Sequence, residues 1–297
     1  MCKKIKVAVF GKTVEEHFLK ELESISAFLR EKNVEVVGYG PFCEYLKNEK
    51  GRDLLPDKVF SSPSELDEDC DFFFSIGGDG TFLDGVALVR NSGIPMVGIN
   101  HGRLGFLADI PKEELETALA AIKKGDYRIE ERSLLRVKSS SGCFNTFPFG
   151  LNDFTVHKQD SSQVIQVETY VDDEFLSTFW SDGLIVSTAT GSTAYSLSVG
   201  GPVIAPNAGS FVINAIAPHH LTVRPLVVSE NSKIRLKVRG RGERIMASVD
   251  ARCIPMDIGT EFEIEKAPFV IKVLKLKDVT FYDTLRNKLM WGADKRN

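Results

Sequence analysis

The run Phe72 Phe73 Phe74 Ser75 Ile76 leads directly into Gly77 Gly78 Asp79 Gly80 Thr81, and these into the helical pattern of Phe82 to Val89. A short, continuous apolar run reads as a strand buried on both faces, so this stretch predicts a strand, a glycine turn and a helix within a helix-covered parallel sheet. Three glycines let backbone N–H groups crowd against a bulky anion, and the helix N-terminus adds partial positive charge, which suits phosphate. A carboxylate in that turn repels phosphate unless a metal or a reacting hydroxyl accompanies it. Asp79 is therefore a candidate to accept a proton or orient a nucleophile. The same pentapeptide also serves as a plain tight turn, with Asp79 and Thr81 capping the helix.

The surrounding pattern agrees with an α/β fold up to about residue 110. It predicts strand Ile5–Phe10, a helix with Val14, Phe18, Leu22, Ile25 and Leu29 on one stripe, and strand Val34–Gly38. Strand Asp71–Ile76, helix Thr81–Arg90 ended by Gly93, and strand Met96–Ile99 follow. In such a sheet a ligand belongs at the carboxyl ends of the strands, where Gly77 to Thr81 sits. After a helix over Lys112–Lys124, closed by Gly125, strand follows strand from Tyr127 to Lys275, divided by Gly, Asp, Asn and Ser turns. That texture predicts a β-sandwich or layered antiparallel domain. Helical spacing returns over Thr280–Trp291, with Phe281, Leu285, Leu289 and Trp291 on one stripe. The expected division is 1–110, 111–280 and 281–297.

Composition narrows the class without choosing a function. The 297 residues carry 37 Lys plus Arg against 41 Asp plus Glu, a net charge of −4 that argues against nucleic acid as the main partner. Cysteines at 2, 43, 70, 143 and 253 show no CxxC spacing and read as thiols of a reducing cytosol. The five histidines show no metal-ligand spacing. No run approaches the roughly 18 apolar residues of a membrane helix, so no membrane partner is expected.

A second segment is also distinctive. Strand-like Leu184 to Thr188 leads into Thr190 Gly191 Ser192 Thr193 Ala194 Tyr195 Ser196 Leu197 Ser198 Val199 Gly200 Gly201 Pro202, preceded by Asp182 and Gly183. Hydroxyl side chains at this density can bond a sugar, a base edge or a phosphate, or simply cap a surface helix.

Taken together, the two segments closely resemble the NAD kinase family. The likeness extends through Gly98 Ile99 Asn100, Gly102 Arg103 Leu104 Gly105 Phe106 Leu107, Gly150 Leu151 Asn152 Asp153, Ala217 Pro218 His219, Arg224 Pro225 Leu226 and Leu285 Arg286 Asn287 Lys288 Leu289. It runs in order from about Val7 to Trp291. The resemblance implies a Rossmann-like α/β domain with a parallel sheet, then an all-β, sandwich-like domain, with a C-terminal helix returning to the first. It implies transfer of the terminal phosphoryl of ATP to the 2′-hydroxyl of the adenosine ribose of NAD.

In that reading Asp79 is catalytic, and Gly77, Gly78, Gly80 and Thr81 hold donor phosphates, with Arg103 reaching them as well. The family's matching NAD positions are Asn152, Asp153, Asp182, Thr190, Thr193, Ala194, Tyr195, Ser196, Leu197, Ser198 and Ala217. Asn152 and the hydroxyls suit the adenosine half, Tyr195 supports the pocket, and Asp182 takes the nicotinamide amide. Mg²⁺ is expected on the ATP phosphates, with no dedicated protein ligands, and so are a cytoplasmic location and a homodimer or homotetramer in which a neighbouring subunit completes the NAD site. The chain departs from the family where Asn152-Asp153 replaces Asn-Glu, Thr188-Ala189-Thr190 replaces Thr-Pro-Thr, and Asp250-Ala251-Arg252 replaces a DGQ-like run. Two other classes stay open: lipid kinases of the diacylglycerol and sphingosine type, which share a GGDGT-like turn, and a non-catalytic NAD(P)-binding sensor.

Overall fold

The structure, a computed structural model, describes residues 4–54, 58–102, 104–111, 114–142, 144–159, 164–277 and 279–292. The chain divides into two compact units. The first takes residues 1–131 and 271–297, the second residues 132–270.

The first unit is the expected parallel sheet. Strands β1 (Lys6–Gly11), β2 (Glu35–Tyr39), β3 (Val59–Phe60), β4 (Phe72–Ile76) and β5 (Met96–Asn100) lie in the order β3-β2-β1-β4-β5, every pair parallel. Short strand β6 (Ile110–Pro111) pairs with β5. Strands β4 and β5 are buried at every position, as continuous apolar runs require when helices cover both faces. The helices are α1 (Leu19–Glu31), α2 (Gly40–Lys50), α3 (Asp79–Val89) and α4 (Leu115–Lys124). All five residues of the predicted stripe from Val14 to Leu29 are buried, with Phe18 closing a 3-10 turn just before α1. Helix α4 ends as expected at Gly125, at a φ of 77°. Strand order reverses direction at β1, so the switch point lies between β1 and β4, and the turn leaving β4 is Gly77 to Thr81.

The second unit is an antiparallel sandwich. Its strands are β7 (Tyr127–Ser139), β8 (Phe149–Gly150), β9 (Asp153–Lys158), β10 (Ile165–Val171), β11 (Glu174–Ser181), β12 (Gly183–Thr188), β13 (Ser210–Ile216), β14 (Leu226–Ser229), β15 (Ile234–Arg239), β16 (Arg244–Val249), β17 (Arg252–Asp257) and β18 (Glu261–Leu276). One layer runs β14-β13-β12-β9-β16-β17; the other runs β11-β10-β15-β18, with β7 beside β18 and β8 beside β7. Alternate residues such as Val167, Leu236 and Phe262 from the second layer meet Phe154, Val186 and Ile245 from the first in one core. Helix α5 (Tyr195–Ser198) is a single turn. Strands β7 and β18 each continue across a unit boundary.

The last helix, α6 (Phe281–Leu289), belongs to the first unit, as does the end of β18, where Val273 pairs in parallel with Met96 of β5. A capping box closes the start of α6, with Thr280 and Asp283 exchanging bonds. The predicted stripe is shorter than expected: Leu285 is buried, but Trp291 is 55% exposed because the helix has already ended at Met290 in a left-handed conformation. No helix among the described residues is long and apolar enough to cross a membrane.

Gly98 in β5 touches backbone, because a Cβ there would meet the carbonyl of Leu107 and the Cα of Ala108. Around Gly78 the corresponding space is open and φ is −85°, which any residue adopts. Gly98→Ala is therefore expected to lower the thermal midpoint by several degrees, while Gly78→Ala changes it by less than about 1 °C, as read by calorimetry.

Candidate active site

Gly78 is the N-cap of α3 and Asp79 its first residue, yet no side chain caps the helix. The plain capping reading of the pentapeptide is thereby set aside. The Asp79 carboxylate points away from its own helix and gathers three consecutive backbone N–H groups. Phe106 donates to Oδ2 at 2.9 Å, and Leu107 and Ala108 donate to Oδ1 at 3.0 and 2.9 Å. Gly105 is required beside it, since a Cβ at 105 would strike Oδ1. Two of the three donors go to Oδ1, so Oδ2 keeps the spare accepting capacity, and the side chain remains 31% exposed.

The loop that supplies these donors is held from several sides. Asn100 Nδ2 donates to the Ala108 carbonyl at 3.3 Å, and the Gly105 N–H donates to the same carbonyl at 3.0 Å. Lys275 donates to the Phe106 carbonyl at 3.3 Å and pairs with Asp109 at 2.6 Å, both side chains nearly fully buried. Lys288 of α6 donates to the Leu104 carbonyl at 2.9 Å, lies over the Phe106 ring at 4.9 Å and stands 3.9 Å from Asp79 Oδ2.

The glycines of the turn divide by cause. Gly77 has a φ of 154°, and a Cβ there would collide with the Thr81 side chain, so the fold itself requires glycine. Gly78 and Gly80 have no neighbour within 4 Å of an added Cβ. Among the described residues nothing fills that space, which suits a bulky ligand against the backbone. Arg103 lies outside the described residues.

In the second unit the predicted residues form two groups. At one end of β12, the Thr188 hydroxyl donates to the Leu151 carbonyl at 2.6 Å and accepts from the Gly191 N–H at 3.0 Å. The Thr188 N–H donates to the Asn152 carbonyl at 2.8 Å, and Gly191 packs so closely on Asn152 that a Cβ would overlap its backbone. This brings Asn152 against the 3-10 turn Thr190–Thr193, which leads into helix α5. The hydroxyls are partly committed to the turn itself: Ser192 to the Ala189 carbonyl at 2.7 Å and Thr193 to the Thr190 carbonyl at 3.2 Å. Ser196 is buried with its hydroxyl unpartnered, Ala194 and Leu197 are half-buried, and Ser198 and Tyr195, the latter 43% exposed, face solvent.

Asp182 and Ala217 sit together at the other end of the same strands. The Asp182 N–H donates to the Ile216 carbonyl at 2.9 Å, and its carboxylate pairs with Lys158 at 2.6 Å. Ala217 is exposed, with a left-handed φ of 45°. The five-residue step from Gly183 to Thr188 separates the two groups by about 17 Å at strand rise.

Asp250 is a functional candidate that the residue pattern left aside. It occupies a two-residue turn between β16 and β17 at a φ of 51° and repeats what Asp79 does. Its Oδ2 accepts from Leu151 at 3.0 Å, and its Oδ1 from Asn152 and Asp153 at 2.8 and 3.2 Å. The signal in the sequence was an Asp at the tip of a tight hairpin, where left-handed backbone is tolerated. Arg252 serves the same framework, donating to the carbonyls of Phe147 and Phe149.

Burial pushes the carboxyl groups of both Asp153 and Asp250 upward, that of Asp153 to about 7, with the neighbouring Asp250 charge adding to the shift. The N–H donors and Arg252 favour the charged form of Asp250, so the proton of the pair resides on Asp153. Between the ordinary 3.8 and about 7, the folded chain holds a proton that the unfolded chain has released, so stability falls with rising pH across that window and levels above it. Asp153→Asn removes this penalty. Its thermal midpoint should match wild type near about pH 4 and exceed it most at about pH 8; a difference independent of pH would contradict the assignment.

Two family profiles cover most of the chain: the ATP-NAD kinase N-terminal domain matches residues 7–127, and the ATP-NAD kinase C-terminal domain residues 151–276. The NAD kinase of Flavobacterium psychrophilum is 43% identical over 99% of this chain and 100% of its own length; that of Bacteroides fragilis is 39% identical over 98% and 100%. An NAD kinase from Archaeoglobus fulgidus, solved in complex with ATP, superposes with a TM-score of 0.72 at 30% identity, covering 96% of this chain and 98% of that one. Yeast NADH kinase, solved with NADH, shares the fold with a TM-score of 0.85 at 21% identity over 99% of this chain and 89% of its own. The glycine turn with its anchored aspartate, the sandwich and the full-length similarity agree: this chain belongs to the ATP-NAD kinase family.

Proposed function

We propose that the protein is an NAD kinase that transfers the terminal phosphoryl of ATP to the 2′-hydroxyl of the adenosine ribose of NAD, giving NADP and ADP. The observation that carries the catalytic assignment is the Asp79 carboxylate, fixed by three N–H donors with Oδ2 left able to accept. In the reaction the bond from the 2′-oxygen to the γ-phosphorus forms as the bond from that phosphorus to the bridging oxygen breaks. The bridging electron pair leaves with ADP, and the hydroxyl proton passes to Asp79. A loose transition state releases that proton late, so an ordinary carboxylate suffices once it is positioned.

Gly77, Gly78, Gly80 and Thr81 take the donor phosphates, and the open space at Gly78 and Gly80 supports this. Arg103 joins them by family resemblance. Mg²⁺ would be held mainly by the ATP phosphates, without dedicated protein ligands, and would supply charge neutralisation at the transferring group.

Asn152, Asp153 and the stretch Thr190 to Ser198 take one part of NAD, while Asp182 and Ala217 take another. Completion of each NAD site by a neighbouring copy, and hence a homodimer or homotetramer, follows from the family resemblance. Cys43 and Cys70, whose thiols burial holds up at about 11, stay protonated and unpaired, which supports residence in the cytoplasm.

Purified protein with ATP, Mg²⁺ and NAD should form NADP in proportion to enzyme, read by an NADP-specific dehydrogenase. Phosphorylation of diacylglycerol alone would return the lipid-kinase reading, and NAD binding without turnover the sensor reading. Gly78→Ala, neutral for the fold, should raise the KM for ATP roughly tenfold by placing a methyl where a phosphate oxygen belongs.

A further inference from the structure

We propose that Lys288, on the C-terminal helix, is a further residue of the phosphoryl-transfer site and contacts the terminal phosphoryl group of the donor; this rests on the NAD kinase reading above. Its ammonium stands 3.9 Å from Asp79 Oδ2, the oxygen that receives only one of the three backbone N–H donors. That oxygen is the one free to meet the acceptor hydroxyl, so Lys288 flanks the reacting end of the carboxylate.

The side chain is already in place. Its ammonium lies over the Phe106 ring at 4.9 Å, and one of its three N–H groups is spent on the Leu104 carbonyl at 2.9 Å. At 3.9 Å the contact with Asp79 is electrostatic and too long for a hydrogen bond, so two N–H groups remain for a ligand. The side chain is 34% exposed and therefore reachable. The terminal phosphoryl dianion brought beside a carboxylate is repelled, and a fixed cation at the same point offsets that repulsion and the charge on the transferring oxygens. The neighbouring Arg286, by contrast, is turned toward Asp283 at the start of α6 and serves the helix.

The test compares Lys288→Met, Lys288→Arg and Arg286→Ala with wild type by steady-state kinetics, thermal midpoint and inhibition by inorganic tripolyphosphate, which lacks a base. Lys288→Met should lower kcat roughly 10- to 100-fold, raise the KM for ATP and weaken tripolyphosphate inhibition, with the KM for NAD within about twofold and Arg286→Ala near wild type. Lys288→Arg should recover most of the loss, because a cation is restored while the geometry changes. Wild-type kcat and ATP KM in Lys288→Met would overturn the proposal. A loss that tracks a fall in thermal midpoint and is not recovered by arginine would overturn it too. Failure of the wild-type protein to make NADP would instead remove the reading beneath it.

Discussion

Three backbone N–H groups converging on one carboxylate hold the first unit's site together. Asp79 lies at the start of α3, and Phe106, Leu107 and Ala108 lie after β5, so their bonds tie the turn leaving β4 to the loop leaving the neighbouring strand. Each neutral hydrogen bond nets about 1 kcal/mol, and one to a charged acceptor up to about twice that, so three are worth several kcal/mol if the loop is otherwise ordered. Gly98, Gly105, Asn100, Lys275 and Lys288 supply that order. Two of these come from the C-terminal segment, which gives its return to the first unit a purpose: it fixes the loop that fixes Asp79.

The sandwich unit repeats the device at higher cost. Asp250 collects the N–H groups of Leu151, Asn152 and Asp153, but its side chain is buried beside a second carboxyl. Two like charges buried side by side are too costly, and the protonation of Asp153 relieves them. Asp153, which stands where the family usually has Glu, is thus a protonated, neutral group below about pH 7. Asn152 is presented by a turn whose backbone donors are all satisfied.

Much of this was legible in the residues, and what was missed has identifiable causes. Continuous apolar runs gave β1, β4 and β5, and 3.6-residue spacing gave α1, α3 and α4, because burial enforces those periods directly. Helix α2 has no counterpart in the expected pattern, although Pro41 at its start and Gly51 past its end are helix boundary signals. The strand pattern expected to run up to Lys275 closes in a single 16-residue strand, β18. GGDGT announced phosphate chemistry, but no local pattern could show Asp79 reaching a loop 27 to 29 residues away, or Asp250 reaching back almost a hundred residues to Asn152. Contacts of that range depend on strand order, which single-residue spacing does not encode. The hydroxyl-rich segment pointed to nucleotide binding, yet Ser192 and Thr193 spend their hydroxyls holding their own turn.

The central role of Asp79 is tested most directly by single-turnover phosphoryl transfer in Asp79→Asn, with ATP and NAD saturating and NAD affinity measured alongside by calorimetry. Asparagine preserves the oxygen that accepts from Leu107 and Ala108 but can take no proton from the acceptor. The rate should fall by roughly 10² to 10⁴ while the NAD Kd stays within about twofold. Transfer at the wild-type rate would contradict the account and remove Asp79 from the chemistry.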